Sequence, residues 1–403
     1  MASIQYEDIT LAQQKIGSML PITPISILSC PKIQTKVHLK LDTLMRTGSF
    51  KERGALHALL HIRDQGTYKK IIGASAGNHA QAVSYHASKL GFEVSMIMPT
   101  QTPINKVIST QKWGANVELQ GETVDQGIEM ARERAKNTGE AFIHAFDDPN
   151  VIAGQGVCAL EIFDQISDID YFVVPVGGGG YISGIAAVVK HLNPKAKVIG
   201  VQTEVFPQVA YAYRGETFVS KQGSVTIADG IAVKGIGQYT LPMIQKYVDD
   251  IVLVKDKEIA DAILYLLQNK KILAEGAGAS GLAALLSEKI SIPEGKKVIT
   301  PICGGNIDMN LLSRIIEKGY LKSKRLLKVN VIISDRPGSL HQLTGILSSL
   351  KVNILNIHHD RVSTHIPYYN TGTELMLETR GEEHAQEVVE ALEKHCLFVR
   401  VRN

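Results

Sequence analysis

The chain has few cysteines, one tryptophan and almost no excess of charge of either sign. The cysteines lie far apart and form no C-x-x-C pair, which argues against a disulfide scaffold and a zinc ribbon. A formal net charge of +3, with 21% charged residues, is typical neither of a nucleic-acid-binding protein nor of a disordered one. We therefore expect a globular protein with no nucleic-acid partner. The four cysteines are Cys30, Cys158, Cys303 and Cys396.

Targeting and membrane signals are also missing. The segment 1–8 carries two acids and no apolar run, so we expect no secretory signal and a cytoplasmic location. One stretch of 19 residues, Tyr171–Val189, has no charge, but it contains Pro175 and four consecutive glycines. That pattern favours a buried strand, a loop and a helix start over a membrane span. We expect no membrane partner.

With 403 residues, 44% of them apolar, the chain is long enough for two or more domains. Strand-like and helix-like runs alternate over the first three quarters, which predicts an α/β fold with open, mainly parallel sheet covered by helices on both faces. Ligands bind such folds at the carboxyl ends of the strands. The predicted strands are Ile71–Ala74, Val94–Met98, Tyr171–Val174 and Val198–Val201, and the predicted helices are Asn78–Leu90, 124–135 and Ile182–Leu192.

The pattern changes near Glu317–Arg325, a charged segment without an apolar period, which predicts a linker. After it the order of elements is βαββαβ, typical of a ferredoxin-like module of about 80 residues. The predicted elements are the strands Leu326–Ile333, Asn353–His359, Gly372–Thr379 and Leu397–Val401 and the helices Leu340–Leu350 and Glu383–Lys394.

The glycines Gly177–Gly180 lie between a predicted strand and a predicted helix. Backbone N–H groups of such a loop can close on an anion, and the helix dipole favours negative charge, which suggests a phosphate site. Neither nucleotide motif fits, because Ile182 replaces the last glycine of G-x-G-x-x-G and Ile185 replaces the P-loop lysine. From these residues alone, a phosphate site and a simple tight turn both stay open.

Two other loops contain polar residues that are candidates for catalysis or ligand binding. Lys51 lies in the glycine-flanked run TGSFKERGA, where burial would favour the neutral, nucleophilic amine, although most lysines are surface charges. Ser75 and Asn78 lie in the run ASAGNH, where they could bind a ligand oxygen or simply cap a helix.

These three motifs and the segment Cys303–Asn306 occur in the order found in fold-type II pyridoxal-phosphate enzymes. The chain resembles the branch of threonine dehydratase and serine racemase over roughly residues 10–320. The resemblance implies a catalytic domain, 1–322, built on two open, mainly parallel sheets, with a smaller subdomain at about 50–150.

The resemblance also implies roles around the cofactor, pyridoxal 5'-phosphate. Lys51 would carry the cofactor covalently and remove the α-proton of the substrate, and Phe50 would pack on the pyridine ring. Asn78 would hydrogen-bond the 3′-oxygen, Gly177–Gly180 would hold the phosphate, and Cys303 takes the place of the serine that faces the pyridine nitrogen. The substrate would lie against Ser75, Ala76, Gly77 and His79.

Three residues distinguish this chain from the serine racemase branch of the family. Ala76 stands where serine racemases have a serine, whose hydroxyl returns a proton to the substrate. Gln202 and Gln208 stand where the racemases have the carboxylates of a divalent-cation site. We therefore expect no metal and a dehydratase, which eliminates the β-hydroxyl of L-threonine to give 2-oxobutanoate and ammonia. The segment 228–232 also resembles the threonine dehydratase pattern near the substrate. A preference for L-serine, and a non-catalytic amino-acid sensor, are the alternatives.

The turn Asp335–Leu340, with the sequence DRPGSL, resembles the signature of ACT domains. The resemblance implies an ACT domain at 326–403 that binds an amino-acid effector at Asp335, Arg336, Pro337, Gly338, Ser339 and Leu340. We expect isoleucine as the effector, isoleucine synthesis as the pathway, and a homo-oligomer, either a dimer or a tetramer. The alternative is a domain that only mediates oligomer contacts. His358–Asp360 is not expected to bind a metal, because adjacent strand residues point to opposite faces.

Overall fold

A computed structural model describes residues 4–30, 33–221, 223–364 and 366–402. The chain divides into two compact units, one ending at Ile307 and the other beginning at Asp308. Within the described residues, no helix is long and apolar enough to cross a membrane.

The first unit holds two sheets. The larger has the strand order β1-β2-β10-β7-β8-β9, in which only the β1–β2 pair is antiparallel, and the smaller has the all-parallel order β5-β4-β3-β6. The strands are β1 (Ile25–Cys30), β2 (Ile33–Lys40), β3 (Lys70–Ala74), β4 (Glu93–Met98), β5 (Asn116–Leu119), β6 (Ala141–Phe142), β7 (Tyr171–Pro175), β8 (Lys197–Thr203), β9 (Asp250–Val254) and β10 (Val298–Pro301).

Helices cover both faces of the smaller sheet. Neighbouring residues of β3 point to opposite faces, so Ile71 packs in one buried cluster and Ile72 in another, which includes Ala131 of a covering helix. The fold class predicted from the alternation of elements is confirmed. The helices are α1 (Tyr6–Ile16), α2 (Lys51–Gln65), α3 (Asn78–Lys89), α4 (Ile104–Gln111), α5 (Val124–Thr138), α6 (Pro149–Gln165), α7 (Gly180–Leu192), α8 (Gln208–Tyr213), α9 (Thr240–Tyr247), α10 (Asp256–Lys270) and α11 (Gly276–Leu286), with short 3-10 turns at Asp42–Leu44 and Asp229–Ile231.

The second unit contains the predicted βαββαβ order, preceded by one further helix. Its antiparallel sheet has the strand order β12-β13-β11-β14. Val329, Val331 and Leu375 alternate with exposed or half-buried residues along their strands and pack against Leu343 and Val388 of two helices. The elements are α12 (Met309–Lys322), β11 (Leu326–Ser334), α13 (Ser339–Ser349), β12 (Asn353–Asp360), β13 (Asn370–Glu378), α14 (Glu382–His395) and β14 (Phe398–Arg402).

The linker predicted over Glu317–Arg325 is wrong for most of its length, because α12 continues to Lys322. The apolar stripe of this helix begins earlier, at Leu312, and continues through the buried Ile315, so the charged segment forms the last turns of an amphipathic helix, in which Lys318 and Lys322 are exposed. Asp308 caps the helix by accepting hydrogen bonds from two backbone N–H groups. The helix belongs to the second unit.

Candidate active site

A cavity of about 350 Å³ opens in the first unit, at the carboxyl ends of β3 and β7 and at the start of α2. The cavity brings together every cofactor and substrate residue predicted from the sequence in this unit. These residues are Phe50, Lys51, Ser75, Ala76, Gly77, Asn78, His79, Gly177, Gly178, Gly179, Gly180 and Cys303.

Lys51 is the first residue of α2, and its amine reaches the cavity. Its Nζ donates a hydrogen bond to the carbonyl oxygen of Ala145 at 2.8 Å. Burial lowers the pKa of Lys51 to about 8, although the nearby Cys303 and Glu275 act in the opposite direction. Much more of this amine is therefore neutral at neutral pH than in a surface lysine.

Phe50 lies between the lysine and an aromatic side chain of α7. Its ring centroid is 4.1 Å from that of Tyr181, and Lys51 Nζ lies 5.1 Å from the Phe50 centroid. The backbone N–H of Phe50 donates to the carbonyl oxygen of Cys303 at 2.9 Å. One side of the Phe50 ring is thus supported by the residue that follows the glycine loop.

The loop Gly177–Gly180 connects β7 to α7. Gly179 has a φ of 93°, a conformation that side chains rarely adopt, and a Cβ on Gly178 would lie 2.4 Å from the ring of Phe146. The first N–H groups of a helix have no intrahelical acceptor, and the helix dipole adds positive potential there. The loop therefore fits a phosphate, for which glycines leave the backbone accessible.

The Asn78 amide is held by two other side chains. Its Nδ2 donates to Glu275 Oε1 at 2.7 Å, and its Oδ1 accepts a hydrogen bond from Asn306 Nδ2 at 2.7 Å. Helix α3 has no side-chain cap, and Ser75 Oγ accepts a 3.3 Å hydrogen bond from the N–H of Gly77. Capping of α3, the alternative considered for Ser75 and Asn78, is therefore not their role.

Glu275 is a cavity residue that the sequence analysis missed. Burial raises the pKa of this carboxyl group to about 7, and the charge of Asp229 acts in the same direction. Glu275 directly precedes the glycine-rich start of α11, in the run AEGAGA. An acid before a glycine-rich helix start is the signal that could have pointed to it.

Two further side chains of the cavity, Cys303 and His79, are neutral. Burial raises the pKa of the Cys303 thiol well above its usual range, and Glu275 adds to this effect. Burial lowers the pKa of His79 to about 3, with Lys51 acting in the same direction. His79 Nε2 lies 3.3 Å from the carbonyl oxygen of Ile143, whereas its Nδ1 has no hydrogen-bond partner among the described residues.

The two glutamines at the cation position of the racemases have structural partners. Gln202 Oε1 accepts a 2.9 Å hydrogen bond from the backbone N–H of Ala210, and Gln208 Nε2 donates to Ser220. Across the part of the chain that the structure describes, no group of three or more His, Cys, Asp or Glu residues could hold a metal ion.

The predicted effector residues, 335–340, form the turn that follows β11 and the first two residues of α13, in the second unit. Gly338 is the N-cap of α13 and has a φ of 92°, while a Cβ there would meet no atom within 4 Å. Glycine is thus required by the backbone conformation and not by crowding. Asp335 accepts two hydrogen bonds from Arg361, at 2.9 and 3.0 Å, which hold the start of the turn.

Comparisons with known proteins match both units. Residues 17–304 match the family of pyridoxal-phosphate dependent enzymes, and residues 328–397 match the ACT domain. Both resemblances stated from the sequence are confirmed.

The L-threonine ammonia-lyase of Thermotoga maritima is 42% identical over 391 residues, which is 96% of this chain and 97% of the relative. The catabolic L-threonine dehydratase TdcB of Staphylococcus aureus strain N315 is 41% identical over 317 residues, 77% of this chain and 92% of its own. Among solved structures, the processed form of threonine deaminase isoform 2 from Solanum lycopersicum has a TM-score of 0.71 at 30% identity, covering 79% of this chain and 90% of its own. Maize serine racemase has a TM-score of 0.73 at 28% identity, and the match covers 80% of this chain and 99% of the racemase chain.

Proposed function

Because the chain belongs to the family of pyridoxal-phosphate dependent enzymes, we propose that it is a threonine ammonia-lyase, which converts L-threonine to 2-oxobutanoate and ammonia. The observation that carries the proposal is the desolvated amine of Lys51 in a cavity that also contains the glycine loop and Asn78. Similarity to an L-threonine ammonia-lyase over nearly the whole chain supports the same reaction.

The cavity residues suit pyridoxal phosphate at each end. Gly177–Gly180 would hold the phosphate, Asn78 would donate to the 3′-oxygen, and Phe50 would pack on the ring. Cys303 would face the pyridine nitrogen, and Lys51 would carry the covalent link. When bound, the cofactor supplies an electron sink that stabilises negative charge at the substrate Cα.

The protein's own groups then move the protons. With a pKa of about 8, the Lys51 amine can accept the α-proton at neutral pH. Ser75, Ala76, Gly77 and His79 line the cavity where they could orient the substrate, and His79 stays neutral because its pKa is about 3. Loss of the β-hydroxyl as water leaves an enamine, and its hydrolysis consumes one water molecule and gives 2-oxobutanoate and ammonia.

Cys303 fits elimination better than aminotransfer. A carboxylate at the pyridine nitrogen would strengthen the electron sink that aminotransfer requires, whereas Cys303 is a neutral thiol and a weak hydrogen-bond partner. A site of this kind suits prompt departure of the β-hydroxyl, which both threonine and serine carry. One methyl group is worth only about 1–3 kcal/mol of discrimination, so we expect L-serine to react as well, more slowly.

We further propose that the second unit binds isoleucine at Asp335–Leu340 and that the enzyme serves isoleucine synthesis. The ACT match over residues 328–397 supports an amino-acid site. The relative whose name includes "catabolic" matches only 77% of this chain, whereas the Thermotoga maritima protein matches 96%. The longer match favours a regulated enzyme over a purely catabolic one.

The proposal extends to location and assembly. The described structure contains no disulfide among its four cysteines, which suits the cytoplasm. Strand β12 lies at the edge of its sheet with Leu355 and Ile357 exposed, and such an edge favours pairing between copies, so we propose a homo-oligomer, a dimer or a tetramer. Light scattering of the purified chain would measure the assembly.

The experiment that tests the activity measures oxoacid release from L-threonine and L-serine by the wild type and by Lys51→Ala. We expect release from both substrates, faster from threonine, and none from the variant, because both the covalent link and the base are lost. The wild type should also be yellow and the variant should not. A colourless wild type that releases no oxoacid even with added cofactor would instead support the non-catalytic sensor.

A further inference from the structure

The carboxylate of Glu275 is buried at the cavity and serves no purpose in its own helix. Glu275 occupies the N-cap position of α11, yet its side chain makes no capping hydrogen bond. Its Oε1 instead accepts the 2.7 Å hydrogen bond from Asn78 Nδ2, across 197 positions of sequence. A buried, ionisable side chain that faces a cavity and holds one of its polar residues calls for a functional explanation.

The partners of Asn78 fix its amide in one orientation. Asn306 Nδ2 donates both to Asn78 Oδ1, at 2.7 Å, and to the carbonyl oxygen of Thr47, at 2.8 Å. Turning the Asn78 amide over would set its oxygen against the Glu275 carboxylate and its NH₂ group against that of Asn306. In the described structure the second Nδ2 hydrogen has no acceptor, so it is available to a ligand oxygen.

We propose that Glu275 is a positioning residue, which orients the Asn78 amide toward the cofactor oxygen, and that protonation of its carboxylate weakens this hold and lowers activity. The inference deepens the proposed function, since it rests on the cofactor contact proposed for Asn78. Lys51 remains the group that moves the α-proton. Glu275 acts through Asn78.

The space around Glu275 favours this single arrangement. A Cβ on Gly304 would lie 2.3 Å from Oε1, and one on Gly230 would lie 3.3 Å from the same atom. The glycines let the backbone approach the carboxylate closely, and a larger residue at either position would displace it. A glutamine at position 275 has nearly the same size, so it tests the charge with little change in packing.

Burial, together with the groups around it, makes the carboxylate sensitive to pH near neutrality. Burial and the charge of Asp229 raise the pKa of Glu275, whereas Lys106 and the hydrogen bonds from Asn78 and from the backbone of Asn306 lower it, and the balance is a pKa of about 7. The other titratable groups that face it are Lys51 and Cys303. As the pH falls through 7 the carboxylate gains a proton, and the charge-assisted hydrogen bond to the amide becomes a weaker, neutral one.

The test uses the full-length protein with Glu275→Ala, Glu275→Gln and a control, Glu140→Gln. Glu140 is also buried, but it pairs with Arg134 and does not line the cavity. Two quantities are measured: the dissociation constant of pyridoxal phosphate, from its absorbance on titration, and the pH dependence of kcat/KM for L-threonine. The first needs no turnover, so it does not depend on the proposed reaction.

We expect Glu275→Ala to weaken cofactor binding at least about tenfold, which is the effect of losing a charge-assisted hydrogen bond. Glu275→Gln keeps an oxygen acceptor, so it should bind the cofactor within about threefold of the wild type. Its kcat/KM should lack the additional fall near pH 7 and keep only the fall that protonation of Lys51 causes. Glu140→Gln should keep both wild-type properties.

Two results would overturn the inference: wild-type cofactor affinity in Glu275→Ala, or an unchanged acidic limb in Glu275→Gln. Failure of the proposed function would give a different experimental result. A protein that binds the cofactor and depends on Glu275 in the titration, yet releases no oxoacid from any amino acid, contradicts the reaction and supports the positioning role.

Discussion

Tyr181 donates its hydroxyl hydrogen to Asp42 at 2.7 Å, and the same carboxylate accepts a 2.9 Å hydrogen bond from Arg53. Tyr181 directly follows the glycine loop, and Arg53 lies two residues after Lys51. One buried carboxylate therefore anchors both segments that are proposed to hold the cofactor. The hydrogen bond from Tyr181 and the ion pair from Arg53 keep these segments in a fixed relation.

Removing the Asp42 charge should destabilise the first unit strongly. We expect Asp42→Asn to lower the free energy of unfolding by about 3 kcal/mol, because it breaks a buried ion pair and leaves Arg53 with Glu161 as its charged partner in the described structure. Tyr181→Phe loses only a hydroxyl and should cost about 1 kcal/mol. Denaturant unfolding followed by circular dichroism would measure both. Equal, small losses in the two variants would contradict the anchoring role of Asp42.

The sequence predicted the elements well, because periodicity and turn residues are local signals. The strand predicted at Val94–Met98 is observed at Glu93–Met98, and the helix predicted at Asn78–Leu90 is observed at Asn78–Lys89. The Asp42–Tyr181 contact spans 139 positions of sequence and the Asn78–Glu275 contact spans 197 positions, so no local pattern predicts either contact. Only the fold brings these residues together.

The candidate site likewise contains residues that local sequence signals predict and one residue, Glu275, that they do not. Each predicted motif lies on a loop after a strand or at a helix start, so its place at the cavity follows from the topology. Glu275 lies in a run of small residues that looks like packing, and its role depends on a partner far away in sequence. The linker prediction is wrong for a local reason. The apolar residues that make Glu317–Lys322 part of α12 lie directly before this segment, and not within it.

The lowered pKa of Lys51 predicts how the protein takes up its cofactor. Only the neutral amine attacks the cofactor aldehyde, so the rate of uptake by cofactor-free protein should rise with pH and level off above about pH 8. A lysine with the ordinary pKa of 10.5 would give a rate still rising at pH 10. Absorbance after mixing with pyridoxal phosphate measures the rate, and Lys51→Ala supplies the blank. A rate that keeps rising to pH 10 would show that the amine is not desolvated.

Ala76 predicts that racemisation is negligible, despite the structural similarity to maize serine racemase. Position 76 lines the cavity without the hydroxyl that could return a proton to the opposite face of the substrate. Since a positioned acid is worth about 10²–10⁴ in rate, D-serine should form from L-serine at least about a hundredfold more slowly than oxoacid does. Chiral chromatography would measure D-serine, and Ala76→Ser should increase it. Comparable rates in the wild type would refute the assignment.

The neutral side chains of Gln202 and Gln208 predict that no divalent cation is needed. Gln202 Oε1 is engaged by the N–H of Ala210, and amides are poor magnesium ligands without a carboxylate. Chelation with EDTA should therefore leave oxoacid release within about twofold of the untreated enzyme, a change too small to reflect loss of a metal. A loss that added magnesium restores would show a cation site.

The turn Asp335–Leu340 predicts control by an amino acid. Isoleucine should bind there and reduce activity, and a tenfold effect requires a preference of ~1.4 kcal/mol for the less active state. By reciprocity, threonine must weaken isoleucine binding by the same factor if the effect is on affinity. Calorimetry with isoleucine, valine and threonine, alongside oxoacid release, would measure both.

Gly338→Val separates the effector site from catalysis. Valine is strained at a φ of 92°, so the turn must change shape and isoleucine should no longer bind or inhibit, while activity without effector stays near that of the wild type. The matched control is Gly345→Ala, since Gly345 lies within α13, has open space around it and lacks the positive φ, so inhibition should persist there. If no amino acid binds the wild type, or if Gly338→Val is inhibited like the control, the second unit does not bind its effector at this turn, because a distorted turn could not preserve the contacts proposed for it.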